Sequence, residues 1–78
     1  RRVTKIAGDA EGRRLAVCRS DGVILVMDAA GMTPLWERPV TDRPASSAVF
    51  SPDGSALAIG TDRGLLTILD SQTGDDLF

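Results

Sequence analysis

Histidine and tyrosine are absent from this 78-residue chain, cysteine and tryptophan occur once each, and the longest apolar run is five residues. Without histidine the usual nucleophile–base triads cannot be assembled. The single cysteine, Cys18, excludes an intrachain disulfide, and a reducing, cytoplasmic setting is expected from it. The run Val23-Ile24-Leu25-Val26-Met27 is far short of the roughly 20 residues a helix needs to span a bilayer. No apolar stretch follows Arg1-Arg2, so no signal-peptide pattern is seen. The net charge of −2, with scattered basic residues, gives no general attraction to nucleic acid or anionic lipid. A chain this short buries only about 60% of its unfolded surface, and small domains usually recover stability through disulfides, metals or oligomerisation. The first residue is not Met, and the chain is expected to be a piece of something longer.

What is present is an internal repeat. Gly12 and Gly54 are 42 residues apart, and at that offset Leu15 falls on Leu57, Ala16 on Ala58, Gly22 on Gly64, Asp28 on Asp70, Leu35 on Leu77 and Trp36 on Phe78. Gly31 is paired with Gly74 one residue out of step, with Thr33-Pro34 absorbing the difference. A period of 40–45 residues points to blades of four short strands, a range that helical repeats share only in part.

The residue pattern favours strands. Short apolar runs at residues 3–7, 14–18, 23–28 and 34–40 of the first unit recur at 48–51, 56–60 and 65–70 of the second, with a truncated fourth run near Leu77. Between them stand turn signals such as Asp21-Gly22, Pro52-Asp53-Gly54 and Thr73-Gly74, where glycine supplies the positive φ that tight hairpins need. The predicted fold is all-β, two four-stranded antiparallel meanders over residues 1–40 and 41–78, linked by Thr41 to Ser47. The third run of each unit is apolar almost throughout, the pattern of a strand covered on both faces.

Val49-Phe50-Ser51-Pro52-Asp53-Gly54-Ser55-Ala56-Leu57-Ala58 resembles the inner-strand, turn and second-strand signature of WD repeats. Met27-Asp28 and Leu69-Asp70 stand where that family carries its Trp-Asp dipeptide. The likeness covers almost the whole chain and implies two consecutive blades of a β-propeller, a ring-shaped platform for protein or peptide partners. Two departures mark the repeats as divergent. The Gly-His opening is missing, and without histidine the family's buried Asp–His–Ser–Trp network cannot form, so the blades are expected to rely on apolar packing. The first unit, with Ser20-Asp21-Gly22, Met27-Asp28-Ala29-Ala30-Gly31 and Leu35-Trp36, is also similar to pyrroloquinoline-quinone-type propeller repeats, which close each blade with a Trp-docking motif. That likeness implies a quinoprotein enzyme or an envelope assembly scaffold instead.

Individual residues read mostly as structural. Cys18 ends an apolar strand with no nearby base in sequence and is read as buried and inert. Trp36 is read as packing between units, and Asp28 and Asp70 as acceptors for the turns that follow them. Alternation puts Arg13 and Arg14 on opposite faces of a strand, so at least one should be solvated. The partner-binding candidates are the turn residues Arg19, Ser20, Asp21, Thr61, Asp62 and Arg63, with Lys5 beside a central channel. No catalytic residue, metal or cofactor is expected. The expected partners are proteins or peptides, further blades of the same chain or identical copies of it, with neither nucleic acid nor membrane among them.

Overall fold

The computed structural model describes residues 2–77, so Arg1 and Phe78 lie outside it. Seven strands are arranged in two antiparallel meanders. β1 (Val3–Gly8), β2 (Arg14–Arg19), β3 (Val23–Asp28) and β4 (Thr33–Pro39) form one sheet in chain order. β5 (Ser47–Phe50), β6 (Ala56–Gly60) and β7 (Leu66–Asp70) form the other. An isolated bridge from Leu69 to Asp76 starts a fourth strand there.

The 42-residue register is unbroken. Met27 pairs with Pro34 in the first sheet, and Leu69 bridges Asp76 in the second, the same pair displaced by one repeat. Met32, not Gly31, holds the left-handed conformation (φ 54°), and its counterpart is Gly74 (φ 81°). The shift expected at Gly31 is therefore corrected. A non-glycine residue in the left-handed region is uncommon, and Gly31 drew the alignment one position aside.

Each sheet has two faces, and the register defines which residues share them. In the first sheet Ala16, Cys18, Ile24, Val26, Trp36 and Arg38 lie on one face, which meets the second sheet. In the second sheet the facing side carries Ala48, Phe50, Leu57, Ile59 and Leu69. These side chains, with Ala45 from the connecting segment, form one core, sealed between the sheets by burial of apolar surface. Neither outer face is sealed. Ile24 and Val26 of β3 are fully buried while Val23, Leu25 and Met27 between them are half-exposed. The expectation that this strand is covered on both sides thus holds here for one side only.

The segment from Val40 to Ser46 crosses one end of the molecule, from β4 of the first sheet to β5 of the second. It is pinned there by Val40 N–H and Thr41 N–H donating to the Gly22 carbonyl (3.1 and 3.3 Å) and by Ser46 N–H donating to the Gly60 carbonyl (2.8 Å). Gly22 is buried beneath this strap with φ 86°. A Cβ at that position would lie 1.9 Å from the Thr41 carbonyl oxygen. Glycine is required twice over, for its conformation and for the close approach of another backbone.

Candidate functional site

Tight hairpins join β2 to β3 and β6 to β7, and the register puts both at the strap end of the molecule. This rim gathers the turn residues singled out in the sequence. Arg19 and Asp21 make an ion pair (2.7 Å), and Arg19 also reaches the Glu37 carboxylate of β4 (3.3 Å). Asp21 further accepts the Val23 N–H (3.3 Å), and Ser20 N–H donates to the Arg2 carbonyl (2.7 Å). Among the described residues Arg19 Nε is buried without a hydrogen-bond partner. In the second hairpin the Thr61 hydroxyl accepts the Leu65 N–H (3.3 Å), while Asp62 and Arg63 are exposed. Lys5 is exposed on β1 opposite Cys18, on the core-facing side of the sheet and near the same rim. The two hairpins share one end of the molecule but have different chemistry. The first is an internal charge cluster and the second an open polar turn.

The Cys18 side chain is fully buried, and burial pushes its thiol up against a smaller opposing pull from the Lys5 ammonium. That combination keeps the sulfur protonated and inert near neutral pH. At the opposite end of the molecule the Asp53 carboxylate accepts hydrogen bonds from the Ser51 hydroxyl (2.6 Å) and from the Ser55 N–H and hydroxyl (3.0 and 2.8 Å). These hold its pKa at about 2, the Ser51 hydroxyl contributing most. Asp28 accepts the Ala30 N–H (2.9 Å), and Asp70 accepts those of Gln72 and Thr73 (2.8 and 3.2 Å), the turn-closing role their repetition implied.

The seam between the sheets holds residues that the sequence did not mark as functional. Arg14 Nη1 donates to the Gly54 carbonyl (3.2 Å) and the Ser71 hydroxyl (3.0 Å), and the buried Ser71 hydroxyl donates in turn to the Gly54 carbonyl. The Trp36 indole N–H donates to the Ser71 carbonyl (2.9 Å). Its ring lies so close to Gly74 that a Cβ there would come within 2.7 Å of it. Arg38 reaches across to the Gly74 carbonyl and the Asp76 carboxylate. The expectation of a purely apolar seam is therefore corrected. A polar network joins the sheets without histidine, built on an arginine and a serine. Arg13 points outward to Glu11, as alternation required of one of the pair. Trp36, read from its repeat alignment as packing between the units, does pack across this seam, while its counterpart Phe78 lies outside the described residues.

A signal for Arg14 and Ser71 was available. Their repeat counterparts are Ala56 and Ala29, so the two departures from repetition are partners of one another.

No family model matches the chain. Among curated proteins it is 39% identical over 62 residues to human echinoderm microtubule-associated protein-like 2, covering 80% of this chain and 9% of that protein. It is 34% identical over 70 residues to the human like-1 protein, covering 90% and 8%. The chain thus spans less than a tenth of these relatives. Among solved structures it superposes on the Myceliophteria thermophila Cps50 (Swd1) beta-propeller domain with a TM-score of 0.88 at 21% identity, over 96% of this chain and 23% of that one. It superposes on Kluyveromyces lactis Hsv2 with a TM-score of 0.81 at 26% identity, over 88% and 22%.

Proposed function

Since this chain is a pair of consecutive WD-repeat β-propeller blades, we propose that it works as part of a protein-interaction platform whose strap-end rim binds protein or peptide partners. One observation carries the reading: the unbroken register sets Arg19, Ser20 and Asp21 of one blade and Thr61, Asp62 and Arg63 of the next at the same end. None of these six takes part in the hydrogen bonds described at the seam. Loops held on a rigid sheet are where binding surfaces usually lie. The similarities run to WD-type propellers and lend no support to the quinone-type alternative.

Within the rim the two hairpins take different roles. Arg19 is held by Asp21 and Glu37, so it presents a fixed charge pattern, while Thr61, Asp62 and Arg63 are available to a partner at little structural cost. Lys5 adds a cation on the side where the first strands β1 and β5 approach. The work proposed is binding rather than catalysis, consistent with the absence of a histidine base.

The curated relatives are named as microtubule-associated, which makes polymerised tubulin the first partner to test. Co-sedimentation of the chain with microtubules is compared with that of a Thr61→Ala/Asp62→Ala/Arg63→Ala variant of unchanged circular dichroism. Rim-dependent co-sedimentation supports the reading with tubulin as partner. Binding that the variant retains in full moves the site off this rim.

A further inference from the structure

At the strap end the sequence Thr-Asp-Arg occurs twice, as Thr41-Asp42-Arg43 in the strap and Thr61-Asp62-Arg63 in the second hairpin. The blade repeat did not produce this pair, because at the 42-residue offset Thr61-Asp62-Arg63 falls on Arg19-Ser20-Asp21. The two segments are nevertheless built alike. Each threonine is anchored to nearby backbone: the Thr41 hydroxyl donates to the Arg43 carbonyl, and the Thr61 hydroxyl accepts the Leu65 N–H. Thr41 is buried and Thr61 half-buried, while the Asp and Arg of both segments are exposed. The bond from Ser46 N–H to the Gly60 carbonyl joins the strap to the base of this hairpin, three residues from each arginine.

Charge is unevenly divided between the two ends of the molecule. Arg2, Lys5, Arg43 and Arg63 stand at the strap end, and among the described residues none of their side chains makes an ion pair or hydrogen bond. Of the carboxylates at that end, Asp21 and Glu37 are held by Arg19, which leaves Asp42 and Asp62. Cations without a partner thus outnumber such carboxylates there. The opposite end is the reverse. Its turns carry Asp9, Glu11, Asp28, Asp53, Asp70 and Asp75, against Arg13, which pairs with Glu11. Asp9, Asp28, Asp53 and Asp70 close their turns by accepting backbone N–H groups, which are neutral and leave the negative charge uncancelled. Arg14 and Arg38 are engaged in the seam, the latter with Asp76. Strands of this length put roughly 17–20 Å between the ends, beyond the screening length of about 10 Å at 0.1 M salt. A partner at the rim therefore meets the local excess of cations and not the net charge of −2.

We propose that the strap-end rim takes an acidic partner, a peptide segment whose carboxylates pair with Arg43 and Arg63. This rests on the rim reading above and adds the partner's charge to it. Arginine offers a planar fork that a carboxylate fills with two hydrogen bonds. Arginine is also enriched at binding hot spots, whereas aspartate is depleted at interfaces. Lys5 and Arg2 add positive potential that speeds the encounter, and the anionic far end repels the same partner. The rim lies at one end of the strands, clear of both outer sheet faces, so the proposal does not depend on what packs against those faces.

The test is the binding of a fluorescent deca-glutamate peptide to the 78-residue chain, read by anisotropy at about 0.1 M salt. Deca-lysine and phosphatidylserine–phosphatidylcholine vesicles are the comparisons. Arg43→Glu and Arg63→Glu each reverse one charge at the rim, and Arg13→Glu makes the same change at the far end. All three positions are exposed, and circular dichroism checks the fold. Arg43→Gln and Arg63→Gln serve if a reversal unfolds the chain. Deca-glutamate is expected to bind, about fivefold more weakly to each rim variant and within about twofold of the parent to Arg13→Glu. Equal losses in all three variants overturn the proposal in favour of a net-charge effect. Full binding by both rim variants takes the site off the rim and overturns it as well, and tighter binding of deca-lysine reverses its sign. Vesicle binding without peptide binding overturns it in favour of a membrane surface. No peptide binding, with microtubule co-sedimentation still lost in the Thr61→Ala/Asp62→Ala/Arg63→Ala variant, overturns the acidic partner alone and leaves the rim reading standing.

Discussion

Gly22 and Gly64 occupy the same position in the two blades and share a φ of 86°, yet they differ in what lies above them. An alanine Cβ at Gly64 would meet nothing within 4 Å, whereas at Gly22 it would lie 1.9 Å from the Thr41 carbonyl oxygen and 2.7 Å from its carbon. Gly64→Ala should therefore carry only the conformational penalty. That is about 1–2 kcal/mol for a left-handed L-residue, reduced by roughly 0.4–1 kcal/mol because alanine restricts the unfolded chain. Gly22→Ala carries the same penalty and must also lift the strap. The bonds from Val40 N–H and Thr41 N–H are then lost, at about 0.5–1.5 kcal/mol each. The burial of Ala45, which the strap itself carries into the core, is disturbed as well. We expect Gly22→Ala to destabilise by about 3 kcal/mol and Gly64→Ala by about 1 kcal/mol. Urea unfolding followed by circular dichroism, at one protein concentration, measures both. Equal losses within about 0.5 kcal/mol would refute the reasoning, since the strap would then contribute nothing at Gly22.

Four further outcomes are expected. Ser71→Ala should cost about 1–2 kcal/mol, and a double-mutant cycle with Arg14→Ala should show a coupling of at least about 0.5 kcal/mol; additivity would mean that the seam network contributes no energy. Gly74→Ala should displace the indole it touches and shift the emission of Trp36 to the red, while Gly12→Ala, with nothing within 4 Å of its Cβ, should leave the emission alone. Asp53 is held at about 2 when folded, below its ordinary value of 3.8, so its stabilising contribution is present above about pH 4. It fades as the pH falls through about 2, and comparing acid unfolding of Asp53→Asn with the parent chain across that window reads it. Cys18, whose pKa is raised, should resist thiol reagents until the chain unfolds, so its labelling rate should follow denaturant-induced unfolding. Labelling at the rate of a free thiol in the native state would show that Cys18 is not buried.

Local chemistry made the strands and their turns readable. The run at residues 56–60 matches β6, and the run at 23–28 matches β3, because an apolar segment bounded by Asp-Gly or Arg-Gly turns admits few other structures. Position 32 was not readable. Left-handed backbone is ordinarily assigned to glycine, and Met32 adopts it because the turn geometry of the repeat outweighs its side-chain preference. Departure from the repeat marked Arg14 and Ser71, but their partnership was not legible, for a different reason. Arg14 and Ser71 are 57 residues apart, and nothing local in either says which faces of two sheets will meet. The rim residues could be placed because they belong to turns. Their division into a closed charge cluster and an open hairpin depends on Glu37, whose proximity to Arg19 follows only from the pairing of β3 with β4 and β2.

The strap also sets an order of events. Every strand pairing within a blade joins neighbours in sequence, the kind of local topology that forms quickly. The seam is then closed by two blades tethered through a few residues, at an effective concentration in the millimolar range for a short linker. The seam therefore closes within one chain whatever the protein concentration, and dilution alone should leave it shut.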